Sequence, residues 1–382
     1  MDKLSNLLNK KRKSPFLNKE LSITSTSSTS LNIKEEKNNT KFQNKQNGVL
    51  FKKNPNFKFK EQIIENNDSL GFNDLFEIFT SIKDGISYIV SPNKFLHFCL
   101  SIYSLHDNKL IKLLTGHDNH ITMVKYFCDN CNQEFLISAD IDGIVIIWEI
   151  NDINIDIKKY EIKLKVKNLI YSCIMFQNKY NYLITSSCGN EKTNLFMLDN
   201  NNNIKFIKSI KNSENNSVFY LLIWFNRNKK EYFLIQFCKQ KIVINNIDKN
   251  EIYWNLIDEE NKDACYMNGF INYISNDEYL YTCSMNGFIN IWDLHQKILI
   301  NSIFINNNFL SQILQWNENY IIIINGNKND ISVMDLQSGI IISKLFGRHE
   351  KGIMNIKKVV HPIYGESLLS VGLEGSIFIW TI

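Results

Sequence analysis

The sequence predicts an all-β fold, a seven-bladed β-propeller of four-stranded antiparallel blades, closed by an N-terminal strand and preceded by a disordered N-terminal tail. Three observations lead there. A β-type run ending in a large apolar residue recurs at intervals of 42–50 residues along the body. Each interval holds apolar runs of four to eight residues, rich in Ile, Phe, Tyr and Leu and separated by Asn, Asp and Gly clusters. No segment of helical length carries a 3.6-residue periodicity.

The recurring run is clearest as I-V-I-I-W-E at Trp148 and F-I-N-I-W-D at Trp292. Taking Tyr103, Trp148, Leu198, Ile247, Trp292, Met334 and Trp380 as markers gives spacings of 45, 50, 49, 45, 42 and 46 residues. After each marker come a turn and an outer strand (110–114, 160–166, 204–210, 252–257, 297–304, 340–346). A longer apolar strand follows (121–127, 169–176, 218–225, 270–274, 309–316, 353–360). A third strand then leads back to the next marker (134–139, 182–187, 232–237, 278–283, 320–325, 367–371). Four strands per period is the pattern of propeller blades. The last unit ends at its marker strand and lacks an outer strand, so the ring must be closed from the N-terminal side. The run at 56–64, in which Phe57 and Phe59 alternate with Lys58 and Lys60, is the candidate; 75–82 and 86–91 then open blade 1.

The formal net charge of +4 hides a split. Residues 1–60 hold 14 Lys/Arg against 4 Asp/Glu, whereas the remainder holds 29 against 35. Residues 22–30 contain eight hydroxyl side chains in nine positions. Such a segment buries too little apolar surface to offset its ordering entropy, so 1–55 is expected to be a disordered basic tail and 56–382 the propeller. Within the tail, Lys10, Lys11, Arg12 and Lys13 form a candidate localisation cluster for import receptors or anionic surfaces, with a plain solvated charge run as the simpler reading. Leu4, Leu7 and Leu8 are spaced for a short docking helix that would order only on binding. No run of 18 apolar residues and no signal-peptide pattern occurs, which points to an intracellular chain, cytoplasmic or, through the basic cluster, nuclear. Eight scattered cysteines then read as reduced thiols.

The units resemble WD-repeat blades. The best match is Gly116 and His117 followed by L-I-S-A-D-I-D-G-I-V-I-I-W-E. The resemblance implies a structural hydrogen-bonded set of His117, Ser138, Asp142 and Trp148, and in the last blade His349, Ser370, Glu374 and Trp380, with Glu374 in place of the turn Asp. The fifth blade keeps Trp292 and Asp293 but has Asn286 at the turn. The middle blades match by period alone. No adjacent Arg pair, Trp-Asp-x-Arg motif or N-terminal heptad helix places the chain in a subfamily.

Little else suggests chemistry. Cys128 and Cys131 form a C-x-x-C pair without a second pair or a histidine pair to complete a zinc site, so loop thiols are the better account. Phosphate-cradle, zincin and nucleophile-elbow motifs are absent, and no cofactor, metal or catalytic residue is expected. What the resemblance implies is a non-enzymatic scaffold or adaptor, a monomer or a subunit of a hetero-complex, that binds other proteins or peptides. Its candidate contacts lie on the Gly-His face: Asp118, Asn119, His120, Asp140, Ile141, Arg348, Glu350, Lys351 and Leu373. The rival reading is association with nucleic acid or anionic lipid through the basic tail alone. An enzyme acting through the channel ranks last, because the innermost strands read as apolar.

Overall fold

The computed structural model describes residues 58–64 and 76–381, apart from short breaks at 94–95, 97, 153–155, 164–169, 188–191, 200–202, 212–217, 260, 262–263, 307–308, 327–328, 347, 351 and 373–375. The chain falls into two units, Met1–Lys52 and Lys53–Ile382, and the described residues belong to the second. The Ser/Thr run, the leucine triplet and the cluster Lys10, Lys11, Arg12 and Lys13 lie outside them, as do Lys351, Leu373 and Glu374.

Seven separate four-stranded antiparallel sheets make up the second unit. Blade 1 is β2 (Glu77–Thr80), β3 (Ser87–Pro92), β4 (Cys99–Ser104) and β5 (Leu110–Thr115). Blade 2 is β6 (Ile121–Cys128), β7 (Glu134–Asp140), β8 (Ile144–Asp152) and β9 (Asp156–Lys163). Blade 3 is β10 (Ile170–Gln177), β11 (Asn181–Ser187), β12 (Lys192–Leu198) and β13 (Ile204–Lys211). Blade 4 is β14 (Val218–Asn226), β15 (Glu231–Cys238), β16 (Ile242–Asn246) and β17 (Glu251–Leu256). Blade 5 is β18 (Tyr266–Ile274), β19 (Asp277–Ser284), β20 (Phe288–Asp293) and β21 (Ile298–Phe304). Blade 6 is β22 (Leu310–Gln315), β23 (Tyr320–Asn325), β24 (Asp330–Asp335) and β25 (Ile341–Phe346).

Blade 7 is built from both ends of the chain. Its strands β26 (Ile353–His361), β27 (Gly365–Gly372) and β28 (Ile377–Thr381) are completed by β1 (Lys58–Ile64). β1 runs antiparallel to β28 with Lys58 opposite Thr381, Phe59 opposite Trp380 and Ile64 opposite Ile377, and two bulges bend it. The closing strand is therefore the Phe/Lys run at 56–64. Among the described residues no helix is long and apolar enough to cross a membrane.

The core is divided among the seams. Side chains of a strand alternate between the two faces of its sheet, so each blade gives one set to the blade before it and the other to the blade after. The blade 1–2 seam holds Tyr88, Val90, Leu136, Ile146 and Trp148, and the blade 4–5 seam holds Trp224, Phe233, Phe237, Leu280 and Trp292. The blade 7–1 seam, which joins the two ends of the chain, holds Ile89, Leu105, Leu369 and Ile379.

Two local differences from the sequence reading have physical causes. β18 begins at Tyr266, well before the apolar run at 270–274, because Asn268 and Gly269 interrupt the pattern. Gly269 is required by packing: a Cβ there would lie 2.4 Å from the Tyr281 carbonyl oxygen and 2.8 Å from the Phe237 ring. In blades 3 and 4 the marker position is occupied by Phe196 and Asn245, two residues before Leu198 and Ile247. Asn246 then does the work of the marker acid, its Oδ1 accepting from Lys249 N at 2.9 Å as Asp293 Oδ1 accepts from Gln296 N in blade 5. A slip of two keeps every side chain on its own face, so alternation alone does not reveal it.

Two outcomes test this architecture. A chain starting at Asn66 lacks β1 and leaves β28 as a bare edge; it should melt about 10 °C below one starting at Gly48 and aggregate on size exclusion. Gly269→Ala should lose about 2 kcal/mol in denaturant unfolding, through overpacking of the blade 4–5 seam.

Candidate functional site

Blade 2 carries the most complete polar constellation. His117 sits in the loop entering β6, Ser138 and Asp140 lie on the same face of β7, and Trp148 lies opposite on β8. Trp148 Nε1 donates to Ser138 Oγ at 2.9 Å, and Ser138 Oγ lies 2.7 Å from His117 Nε2. His117 Nδ1 faces Asp140 Oδ2 at 2.9 Å. Because a hydroxyl has one proton, Ser138 accepts from the indole and donates to Nε2, which leaves the imidazole proton on Nδ1, pointing at the carboxylate.

The acid of this set is Asp140, not Asp142. β7 runs through Asp140, and strand alternation places its side chain beside Ser138, whereas Asp142 lies in the turn beyond and is exposed. Asp140 is 0% exposed, so it is no surface contact either. Its second oxygen accepts from Asp142 N at 3.0 Å and Ile144 N at 2.9 Å, which fixes the turn. Asp142 instead takes a hydrogen bond from Asn119 Nδ2 at 3.0 Å. Ile141 N donates to His120 O at 3.0 Å, so the entering loop and the β7–β8 turn are sewn together. Trp148 covers the Ser138 hydroxyl, and the constellation acts as a brace.

The other blades keep parts of it. In blade 7, Ser370 Oγ lies 2.8 Å from His349 Nε2 and accepts from Trp380 Nε1 at 2.8 Å, with Gly372 at the place of Asp140. In blade 5, Trp292 Nε1 donates to Thr282 Oγ1 at 3.2 Å, and Ser284 stands for Asp140, its hydroxyl accepting from Phe288 N at 3.3 Å. Blade 4 has Gln236 and Asn245 where blade 2 has Ser138 and Trp148. Both amide atoms of Gln236 and Nδ2 of Asn245 are buried without a hydrogen-bond partner among the described residues.

A second device was not anticipated from the sequence. Glu134, at the start of β7 and fully buried, accepts from Ser81 Oγ at 2.8 Å and Ile82 N at 3.0 Å, both in the β2–β3 turn of the preceding blade. Tyr126 of its own blade donates to it at 2.7 Å, and burial together with this carboxylate pushes the Tyr126 phenol up. Glu278 repeats the contact in blade 5, accepting from Trp224 Nε1 at 2.6 Å and Arg227 N at 3.1 Å. The sequence pattern Glu-x-Leu-x-Ser/Thr runs from Glu134 to Ser138 and from Glu278 to Thr282, but also from Glu366 to Ser370, where Glu366 is exposed and pairs with Lys358 at 2.9 Å, so the pattern alone does not mark the clasp. An acid opening an apolar strand reads as an exposed end unless the neighbouring blade is known to supply donors.

Of the candidate contact residues, Asp118, Arg348 and Glu350 are exposed, and Asn119, His120 and Ile141 half-buried. Asp118, Asn119, His120 and Ile141 lie together on blade 2, Asn119 and Ile141 being tied by the bonds to Asp142 and His120. Arg348 and Glu350 lie at the entrance to blade 7, where Glu350 O accepts from Asn329 Nδ2 at 2.8 Å. Blade 1 stands between the two groups. Cys128 and Cys131 flank the β6–β7 hairpin, whose centre is held by Asp129 Oδ1 accepting from Cys131 N and Gln133 N, each at 2.8 Å. Among the described residues no three His, Cys, Asp or Glu side chains gather as metal ligands.

Asp140→Ala should lose about 3 kcal/mol of unfolding free energy, because it strips His117 and two backbone N–H groups of their acceptor. Asp142→Ala should stay within about 0.5 kcal/mol. The reverse order in urea titrations would reassign the brace. Iodoacetamide mapping at mildly alkaline pH should label exposed Cys131 first. Cys265, whose thiol burial pushes up to about 11, and the fully buried Cys283 should resist until the protein unfolds.

The family model for the WD domain, G-beta repeat, matches residues 108–149 and 269–293. No curated protein matches the chain by sequence. Among solved structures it is similar to BBS1N, crystallised in complex with ARL6DN and soaked with mercury, at a TM-score of 0.63 and 10% identity over 86% of this chain and 97% of that one. At that identity the likeness speaks for the fold, which 1423 solved chains share and which therefore specifies no partner. With seven sheets closed into one ring and the repeat model matching in blades 2 and 5, the chain is a seven-bladed β-propeller that carries WD repeats.

Proposed function

We propose that the protein is a non-enzymatic scaffold or adaptor, binding other proteins or peptides on the face that carries the His117 loop. The observation that carries this reading is the stitching of Asn119, His120 and Ile141 beside a fully buried brace, with exposed Asp118 in the same loop. A loop backbone held this way loses little conformational entropy on binding, which favours recognition of a defined partner. BBS1N, of similar fold, was itself crystallised with another protein; that supports the use of such a disc as a platform and says nothing of the partner here. Arg348 and Glu350, beyond blade 1, would extend the contact, with Lys351 next to Glu350 in sequence and Leu373 next to Gly372.

The rival is electrostatic association of the basic tail with nucleic acid or anionic lipid, favoured by the 14 Lys/Arg against 4 Asp/Glu of residues 1–60. Pull-down with mass spectrometry on the full chain and on a chain starting at Gly48 separates the two. The platform reading expects the same defined partners from both, and loss of those partners from a His120→Ala, Arg348→Glu double variant. Recovery that collapses without the tail, and collapses further as salt is raised, would transfer recognition to the basic segment.

A further inference from the structure

The opposite face of the disc carries a surface of different character, along the seam of blades 4 and 5. There the β14–β15 turn presents Arg227 and Lys229, and the β20–β21 turn presents Lys297, all exposed. Each cation rests on a tyrosine. The Arg227 guanidinium lies 4.2 Å from the centre of the Tyr273 ring, and its Nη1 donates to Ser275 O at 3.3 Å. Lys229 Nζ and Lys297 Nζ lie 4.5 and 3.7 Å from the centre of the Tyr253 ring, and Lys297 also donates to Tyr253 O at 3.1 Å. Tyr253 is itself packed on Phe233 and Trp224. Exposed Phe225, Tyr273 and Ile274 supply apolar surface at the Arg227 end.

The carboxylates around this strip are engaged elsewhere. Glu231 is taken by Lys249 at 3.0 Å, which holds its carboxyl below the usual range. Asp277 acts on Tyr279, and Asp248 on Tyr182 and Lys208 of blade 3. Glu278 is buried beneath the strip and faces Trp224 Nε1, Arg227 N and, at 3.4 Å, His295 Nε2. Among the described residues none of Arg227, Lys229 and Lys297 forms an ion pair with an acid, although Lys229 lies near enough to Glu231 to add to the lowering of its carboxyl. Three cations are thus held in place on rings, with little side-chain entropy left to lose, beside exposed apolar groups.

We propose that Arg227, Lys229 and Lys297, laid over Tyr273 and Tyr253 along the blade 4–5 seam, form a binding site for an acidic peptide segment of a partner protein. This goes beyond the platform reading, which concerns the other face. Charge sets the occupant: beyond residue 60 the chain holds 29 Lys/Arg against 35 Asp/Glu, so a long polyanion leaving the strip meets an excess of carboxylates, whereas a short acidic segment does not. The neighbouring Phe225 and Ile274 fit an aromatic or aliphatic residue beside the acids.

The test selects random peptides of about 12 residues, displayed on phage, on the full-length protein, and measures synthetic versions by fluorescence polarisation. Enriched sequences should be net acidic with an apolar residue. The triple variant Arg227→Gln, Lys229→Gln, Lys297→Gln should weaken them by about tenfold or more, and the charge-preserving Arg227→Lys, Lys229→Arg, Lys297→Arg should keep most of the affinity. His120→Ala should leave this binding unchanged, which separates failure here from failure of the platform face. If the triple variant melts early, the single change at exposed Lys229, expected to weaken binding about threefold, replaces it. Selection without acidic enrichment, equal binding by wild type and triple variant, or binding of phosphatidylserine vesicles in place of peptides overturns the proposal.

Discussion

Closure of the ring by β1 is the constraint on which the other features depend. Each hydrophobic slab in this fold lies between two blades, so no blade has a core of its own. Strand β28 carries Phe378 and Trp380 into the blade 6–7 seam and Ile377 and Ile379 into the blade 7–1 seam. Without β1 its outer edge would offer unpaired N–H and C=O groups to water or to another chain. Opening one seam also removes half of the apolar burial of each blade beside it, and loss of order spreads around the ring. The two bulges in β1 fit this role, bending a strand from the far end of the chain onto a short partner.

Polar groups refine what the slabs begin, and they do so unevenly. Apolar packing is non-directional and allows two blades to slide. Buried hydrogen bonds between fixed positions do not, because a displaced donor or acceptor is left unmet in a dry seam. The Glu134 and Glu278 carboxylates cross from one blade to the turn of the one before it, and the Lys357–Glu77 pair at 2.8 Å joins the inner strands of blades 7 and 1. Gln312 both donates to and accepts from Ile356 of the next blade, at 3.2 and 3.0 Å. The blade 3–4 seam keeps its apolar cluster but sets Gln236 and Asn245 where blade 2 has a hydroxyl and an indole. Across that seam Leu221 N donates to Ser172 Oγ at 3.3 Å and Lys208 Nζ to Asp248 O at 3.2 Å, and an indole at position 245 is what blade 2 would supply there.

Much of the architecture was legible because it is written as period. Strand number, the seven units and closure by the Phe/Lys run at 56–64 all follow from spacing and alternation, which report on apolar burial. What escaped was what depends on the neighbour. Asp140 and Asp142 both lie near the turn in sequence, and only the strand end, with its alternating faces, decides that Asp140 reaches His117. In blades 3 and 4 Asp199 and Asp248, in the turns after β12 and β16, imitate the marker acid and shift the apparent marker by two from Phe196 and Asn245. Gly269 breaks an apolar run for the sake of a Phe237 ring on another blade.

The two faces of the disc follow from the same alternation of turns. One face collects the blade-to-blade loops and the second-to-third-strand turns, where the His117 brace fixes backbone and leaves small polar side chains outward. The other collects the hairpins that open each blade and the turns before each outer strand, where the carboxylate clasps work from beneath. Glu278 draws the Arg227 backbone and the Trp224 indole to one point, and the aromatic stack built on Trp224 carries Tyr253 outward to Lys229 and Lys297. A seam contact that stabilises the ring therefore also places cations on the surface, at fixed distances from one another. Blade 2 has the same clasp, but its donors come from Ser81 and Ile82, with Lys83 turned to Ile150 O at 3.2 Å. The clasp is shared, and the side chains at the turn it grips decide whether a seam is only closed or also presents a charged surface.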